Sequence, residues 1–411
     1  MRRVCLLLCL LVLGPAASAS ALTEAPLRSS LSRTMNAAGS SSGAHVVDLT
    51  DGRVLFSRRA EAPRIPASNE KLFTTATAIA KYGPRGRFST RILGDGRREG
   101  DTWVGSLYLR GGGDPMFGSA RFTRSAYGEG ATVEDLAAKL AALGISRVTG
   151  SVFGDESFFD RRRGSPADGF AVSIYLGGQL SGLAFNRGLT PGGGGLQSRP
   201  ALYAARELAT ALRGRGVRVL GATAERTAPA SARTLALVRS PTAAFISRFT
   251  NRPSDNYLAE MLLKGLGASF AADGTTAQGA RVTETFLAGL GVSARIVDGS
   301  GLARSNRVSP KETTDLLAAM SADPTAGPAF VESLAIAGRR GTVSGRMRGT
   351  AAAGRCKGKT GTLSNVSAWS GYCDTDGRRI AFSFLMNGVS VGGARSLQDR
   401  MTAAIATYRA G

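Results

Sequence analysis

The chain has 411 residues, a formal charge of +22, 43% apolar residues and one histidine, His45. A single histidine excludes a multi-histidine metal centre, and no cofactor motif stands elsewhere in the chain. The charge alone is compatible with nucleic-acid binding. However, the arginines are scattered rather than gathered into a stripe, so the expectation is no nucleic-acid partner and a solvated surface near anionic envelope polymers. Of the 52 basic residues only seven are lysines. Arginine keeps its proton in a protein, whereas a buried lysine can release it. A lysine at a chemically demanding position in this chain is therefore informative.

The N-terminus reads as a secretory signal over residues 1–21. Arg2 and Arg3 precede an apolar run from Val4 to Gly14, followed by Ala17-Ser18-Ala19 or Ala19-Ser20-Ala21 as a small-residue cleavage site. The run is too short to span a membrane, and no later stretch is long and apolar enough. The mature chain is expected to start near Leu22, outside the cytoplasm, with no integral membrane segment. Cys5 and Cys9 leave with the signal, and Cys356 and Cys373 remain as a pair in an oxidising compartment.

A hairpin is expected from Gly43 to Phe56, turning at Thr50-Asp51-Gly52. His45 lies in its first strand, where a core or surface role is expected. A buried helix follows from about Ser68 to Lys81, stopped by Gly83-Pro84. Residues 22–86 form the first part of one domain. Residues 87–232 change texture and read as an inserted α+β domain. They hold short β-like runs at Leu107 to Arg110, Val148 to Phe153 and Val217 to Leu220, and helices at Val133 to Leu143 and Ala201 to Leu212. The run from Gly192 to Gly195 is a loop. Residues 233–411 return to the first domain. Its helices cover Phe245 to Asn251, Tyr257 to Leu266, Thr275 to Leu290 and Pro310 to Met320. Strands follow at Cys356 to Leu363, Val366 to Cys373 and Ile380 to Asn387. A closing helix from Ser396 to Tyr408 carries a core stripe of Leu397, Met401, Ile405 and Tyr408.

Three short motifs carry chemistry. In Ser68-Asn69-Glu70-Lys71, positions three apart share a helix face, so hydroxyl and amine come within hydrogen-bond reach. The helix N-terminus favours developing negative charge on Ser68, and a desolvated Lys71 can serve as base. Ser254-Asp255-Asn256 opens a helix, so capping competes with a proton relay through Ser254 and an amide clamp by Asn256. Lys359-Thr360-Gly361 lies on a strand lining a cleft. There Lys359 and Thr360 address a carboxylate, and Gly361 lets a substrate approach closely. Lys71 must lose a proton, while Lys359 must keep its charge.

These triplets, in this order, are the signature of active-site serine penicillin-recognising enzymes. The chain resembles the D-alanyl-D-alanine carboxypeptidase/endopeptidase family, the class C low-molecular-mass penicillin-binding proteins. The resemblance extends to Leu107-Tyr108-Leu109-Arg110-Gly111-Gly112-Gly113-Asp114-Pro115, to Tyr257 through Leu262, to Asp298-Gly299-Ser300-Gly301-Leu302 and to Gly341-Thr342-Val343. It implies an α+β serine transpeptidase-like fold, an antiparallel sheet flanked by helices, with the α+β domain inserted. It also implies Ser68 as acylated nucleophile, Lys71 as base, Ser254 and Asn256 as relay and peptide clamp, and Lys359 and Thr360 as the site for a terminal D-alanine carboxylate. The backbone N–H groups of Ser68 and Thr362 would form the oxyanion hole, and Arg304 would contact the stem peptide. Peptidoglycan stem peptides are then the substrate and β-lactam antibiotics covalent inhibitors. The insert is shorter than usual in this family, and Asn186 to Pro200 stands where members often hold a further small domain. The alternatives are a non-catalytic peptidoglycan-binding protein on the same fold, and a β-lactamase. Against the latter, Glu284-Thr285-Phe286-Leu287-Ala288 lacks the asparagine expected beside a deacylating glutamate.

Strand register makes one further prediction. If Ser364-Asn365 are the two turn residues of a hairpin, Cys356 faces Cys373 in a non-hydrogen-bonded pair, with Cα atoms ~4.5 Å apart. That distance permits a disulfide bracing the strand of Lys359.

Overall fold

The computed structural model describes residues 21–192 and 194–410, so the signal-peptide reading of residues 1–21 lies almost wholly outside them. The first domain begins with α1 (Glu24–Asn36), the hairpin β1 (Ser42–Asp48) and β2 (Arg53–Arg58), and helix α2 (Glu70–Tyr82) behind a short 3-10 turn at Ala67–Asn69. The second domain holds β3 (Ser89–Glu99), β4 (Thr102–Arg110), α3 (Ala120–Tyr127), α4 (Val133–Ala141), β5 (Arg147–Val148), β6 (Val152–Asp155), α5 (Pro200–Arg213), β7 (Arg218–Val219), β8 (Thr223–Glu225) and β9 (Arg233–Arg239). The chain returns through α6 (Ala243–Asn251), α7 (Asn256–Phe270), α8 (Thr276–Ala288), α9 (Pro310–Ala322), α10 (Gly327–Ser333) and β10 (Ala335–Ile336). It ends with β11 (Cys356–Leu363), β12 (Val366–Thr375), β13 (Arg378–Asn387) and α11 (Val391–Ile405). None of the described helices is long and apolar enough to cross a membrane.

The first sheet runs β10-β11-β12-β13-β1-β2 and is antiparallel. Both faces are covered, which explains why β12 is buried almost end to end. On one face Leu27, Leu31 and Met35 of α1 and Leu397, Met401 and Ile405 of α11 pack on Trp369, Phe382 and Phe384. On the other, Leu72, Phe73 and Ile79 of α2 and Leu316 and Leu317 of α9 meet Ala368, Tyr372 and Leu385. Helix α2 is thus buried on nearly every side, its polar residues included, because it lies between the sheet and further helices.

The inserted unit does not end at residue 232. Strand β9 pairs with β3 over Ser89↔Arg239 to Gly94↔Arg233, so its second sheet extends to Arg239. That sheet has one continuous parallel register interrupted twice. Thr102↔Arg147 and Leu107↔Val152 share one offset, as do Arg147↔Arg218 and Val152↔Thr223. The run Val148 to Phe153 is therefore a broken strand. The break follows a row of glycines across the sheet. Gly96 faces Gly105, Gly150 N–H donates to Gly105 O, and Gly221 N–H to Gly150 O. A Cβ on Gly105 would lie 2.1 Å from Asp95 O, so a side chain cannot enter the crease. Leu189 bridges to Leu196 on either side of the expected Gly192 to Gly195 loop, of which residue 193 lies outside the described residues.

The hairpin register is as expected, with Leu363↔Val366 and Cys356↔Cys373, and Asn365 adopts positive φ in the turn. The two cysteines are bonded with Cα atoms 4.1 Å apart, and the bridge spans 17 positions. Closing a loop of that size restricts the unfolded chain by about 3 kcal/mol. Replacing both cysteines with serine is expected to lower Tm, and adding reductant to wild type should reproduce the drop in a thermal melt. An unchanged Tm would show that the brace adds nothing.

Candidate active site

The turn that carries Ser68 is clasped between two glycines. Ala67 has φ +48°, an unfavourable conformation for a non-glycine residue. A Cβ on Gly301 would fall 1.9 Å from Ala67 O, and one on Gly361 would fall 2.5 Å from Pro66 O and 3.1 Å from Ser68 N. The bareness of Gly361 therefore serves the chain itself. It lets the Ser68 turn press against β11, which corrects the expectation of space kept for substrate. Asn69 Nδ2 ties the same turn to Lys359 O at 2.7 Å. Ser68 is left half-buried and faces the cleft.

Lys71 lies in the first turn of α2, three positions after Ser68, and is wholly buried. Its Nζ reaches Ser68 Oγ at 3.0 Å, Asn256 Oδ1 at 2.6 Å and Ser300 O at 2.6 Å. Three acceptors match the three protons of an ammonium. A neutral amine donates to Asn256 and Ser300 and turns its lone pair to the Ser68 hydroxyl. Burial lowers the Lys71 ammonium to about 8, while Asp298, Glu260, Asp255 and Glu70 oppose the fall. The lone histidine takes no part. His45 Nδ1 lies 2.6 Å from Thr314 Oγ1, whose own proton goes to Lys311 O.

In the second motif the capping role belongs to Asp255, which accepts from Leu258 N at 2.9 Å. This leaves Ser254 and Asn256 to the cleft. Ser254 has φ +67°, and its Oγ accepts from Lys359 Nζ at 2.7 Å. Two groups of the inserted domain hold this motif, and sequence reasoning missed both. Arg187 makes a two-pronged pair with Asp255 at 2.7 and 2.9 Å and lies over the Tyr257 ring. Tyr175 O accepts from Asn256 Nδ2 at 2.7 Å. Only the turn residues Asn186 and Gly188 flanking Arg187 hint at a special backbone there.

Lys359 is also fully buried. Its Nζ donates to Ser254 Oγ at 2.7 Å and to Thr360 O at 2.8 Å. Burial and then the charge of Lys71 hold its ammonium well below the usual lysine value. The protein groups around Lys359 thus favour its neutral form more than water does. Counting from the hydrogen-bonded pair 363:366, Thr360 and Thr362 sit in non-hydrogen-bonded pairs with β12. Their N–H and C=O groups point away from β12. Strand β10 covers β11 only at Lys357 and Gly358, so an extended peptide can add along the remaining edge. The Thr360 hydroxyl donates to Thr342 at 2.7 Å, and Arg395 donates to Thr362 Oγ1 at 3.1 Å. Arg304 is exposed and donates to Ser364 O at 3.0 Å, so it stands at the rim by the β11–β12 turn.

The site unites Ser68, Lys71, Ser254, Asn256 and Lys359 in two linked pairs of serine and lysine. A wide groove of about 1160 Å³ opens at the opposite end of the sheet. Two of its arginines are already paired there, Arg378 with Asp48 and Asp51, and Arg379 with Asp374. Glu284, the residue weighed for a β-lactamase, accepts from Ile296 N at 3.0 Å and braces backbone.

Fold and site together define a penicillin-binding serine peptidase. The profile of the D-Ala-D-Ala carboxypeptidase 3 (S13) family matches residues 26–171 and 196–408, and the chain belongs to that family of carboxypeptidases. It is 30% identical to a D-alanyl-D-alanine carboxypeptidase of Actinomadura sp. (strain R39), over 90% of this chain and 82% of that protein. It is also 30% identical to Carboxypeptidase DacB of Mycolicibacterium smegmatis, over 88% of this chain and 79% of that one. Among solved structures, penicillin binding protein 4 (dacB) from Haemophilus influenzae matches with a TM-score of 0.73 at 19% identity, covering 91% of this chain and 98% of that one. The break in the family match, residues 172–195, contains Tyr175 and Arg187.

Proposed function

We propose that this carboxypeptidase is exported and cleaves the terminal D-alanine, or a D-alanine cross-link, of peptidoglycan stem peptides through an acyl-enzyme on Ser68. The observation that carries this reading is the contact of Ser68 Oγ with the buried Lys71 Nζ at 3.0 Å. Neutral Lys71 takes the Ser68 proton as Oγ bonds to the scissile carbonyl carbon. The backbone N–H groups of Ser68 and Thr362 receive the oxyanion. The C–N bond then breaks, and the departing amine takes a proton relayed through Ser254, which touches Lys359. Lys359 and Thr360 hold the terminal carboxylate, Asn256 holds the peptide, and Arg304 meets the stem at the rim. Water then releases the acyl group. β-Lactams acylate Ser68 by the same first step.

The test is incubation of the mature protein with a penicillin, followed by peptide mapping of the adduct. The expected adduct lies on the peptide containing Ser68. A parallel incubation with a peptide ending in D-Ala-D-Ala should release D-alanine. No adduct and no D-alanine from folded protein would sink the reading, and an adduct elsewhere would move the nucleophile. Cross-linked muropeptide dimers measure the endopeptidase share.

A further inference from the structure

Behind Lys71 lies a layer of carboxyls that the acyl transfer described above does not use. Glu70, Glu260 and Asp298 are each fully buried, but their surroundings differ. Asp298 accepts from Gly301 N at 2.8 Å, Ala303 N at 2.7 Å, Asn306 Nδ2 at 2.7 Å and the Ser300 hydroxyl at 3.3 Å. Both of its oxygens are thus supplied with donors. Both oxygens of Glu70 are without a hydrogen-bond partner. Burial without donors holds its carboxyl well above the usual range. Glu260 stands between these cases. Its Oε1 accepts from Gly299 N at 3.1 Å and Ser300 N at 2.9 Å, while Oε2 has no partner. Burial, then Asp298, raises its carboxyl to about 8.

The position of Glu260 links it to the reaction centre. It lies four residues after Asn256 on α7, hence on the same helix face. Asn256 Oδ1 takes the Lys71 ammonium directly. Glu260 pins the two peptides just before the Ser300 carbonyl that also takes it. The charged and titratable groups acting on Glu260 are Glu70 and Lys71 on α2, Asp298 in the loop between α8 and α9, and Lys264 on α7; Asp255 and Glu284 act in turn on Lys71 and Glu70. Lys264 is committed to Asp160.

We propose that Glu260 is a positioning residue for acyl transfer. It braces the Gly299–Ser300 backbone that receives Lys71, and its ionisation sets the pH at which Lys71 gives up a proton to become the base. An ionised Glu260 favours the Lys71 ammonium across a poorly screened interior, and a protonated one does not. This inference rests on the reading of Lys71 as base.

The test follows the acylation rate with a fluorescent penicillin across the acid limb of its pH profile. Glu260→Gln keeps an oxygen for Gly299 N and Ser300 N but removes the charge. It is expected to retain most of the maximal rate and to move the limb to lower pH by roughly 0.5–1 unit, about three- to tenfold in rate at a pH well below the wild-type midpoint. Glu260→Ala removes the brace, and its maximal rate should fall at least tenfold below that of the glutamine variant. Glu260→Asp keeps the charge with a shorter reach, so it should hold the limb in place while lowering the maximum. A glutamine variant with an unmoved or raised limb would overturn the proposal, as would an aspartate variant with wild-type rate. If the glutamine variant does not fold, the aspartate variant decides alone. A wild type that takes no label refutes the acyl-enzyme reading itself, a distinct outcome.

Discussion

Lys71→Arg is expected to remain folded and to lose acylation by fluorescent penicillin by a factor of roughly 10³, within the usual range for a general base. Ser68→Ala should show no label at all and sets the floor. Arginine keeps the positive charge that four nearby carboxyls favour, but it does not give up its proton at any working pH. Its planar fork also does not match a pocket in which one nitrogen meets Ser68, Asn256 and Ser300 at 2.6 to 3.0 Å. Lys71→Met separates the two effects, since it removes base and charge together without introducing a fork. Both variants should lose the reaction, and thermal melts should show that their folds persist. In wild type the lysine must be neutral to accept the Ser68 proton. Its ammonium is lowered to about 8 by burial, so the acylation rate should rise with pH through about 8 and level above it. A rate that is flat from acid to neutral pH, or an arginine variant that labels at the wild-type rate, would remove Lys71 from the base role.

The triplets were legible in sequence because each depends on short-range geometry. A spacing of three on a helix brings Ser68 to Lys71, and a two-residue turn aligns Cys356 with Cys373. Both rules survive any tertiary surroundings. What sequence left open was what the surroundings do. The capping alternative for Ser254 was real, and it was resolved by Asp255 taking that role. Gly361 was read as room for substrate, whereas the Pro66–Ser68 turn occupies that side. Arg187, Tyr175 and Glu260 act from elements brought to the site by folding, and neither their spacing nor their composition marks them. Helix α1 escaped notice because only Leu27, Leu31 and Met35 of it are buried, a stripe too narrow to stand out among polar neighbours. The pairing of β9 with β3, some 140 positions earlier, is likewise not marked by composition along the chain.

The two lysines illustrate the same limit, and Lys359 makes the second large effect. Sequence assigns it a permanent charge to meet a carboxylate. In the folded protein it is buried, its hydrogen bonds go to Ser254 Oγ and Thr360 O, and Lys71 adds repulsion. A substrate carboxylate would supply the missing counter-charge and raise its proton affinity, so binding should take up a proton. The sign follows from the shift. Below the free enzyme's lowered value Lys359 is already charged, and affinity is independent of this group. Between that value and the raised value of the complex, affinity should fall up to tenfold per pH unit. Calorimetry on Ser68→Ala protein, with a D-alanine-terminated peptide in buffers of different ionisation heat, counts the protons directly. Uptake approaching one proton is expected at a pH inside that window, and none with the amidated peptide. Lys359→Met should weaken binding of the free acid roughly 10²-fold, about 3 kcal/mol for a buried charged partner, and abolish the uptake. The amidated peptide should bind wild type and variant alike. Equal losses for both peptides would mean that Lys359 supports the Ser254 hydroxyl rather than the carboxylate, and its charge would then belong to the relay.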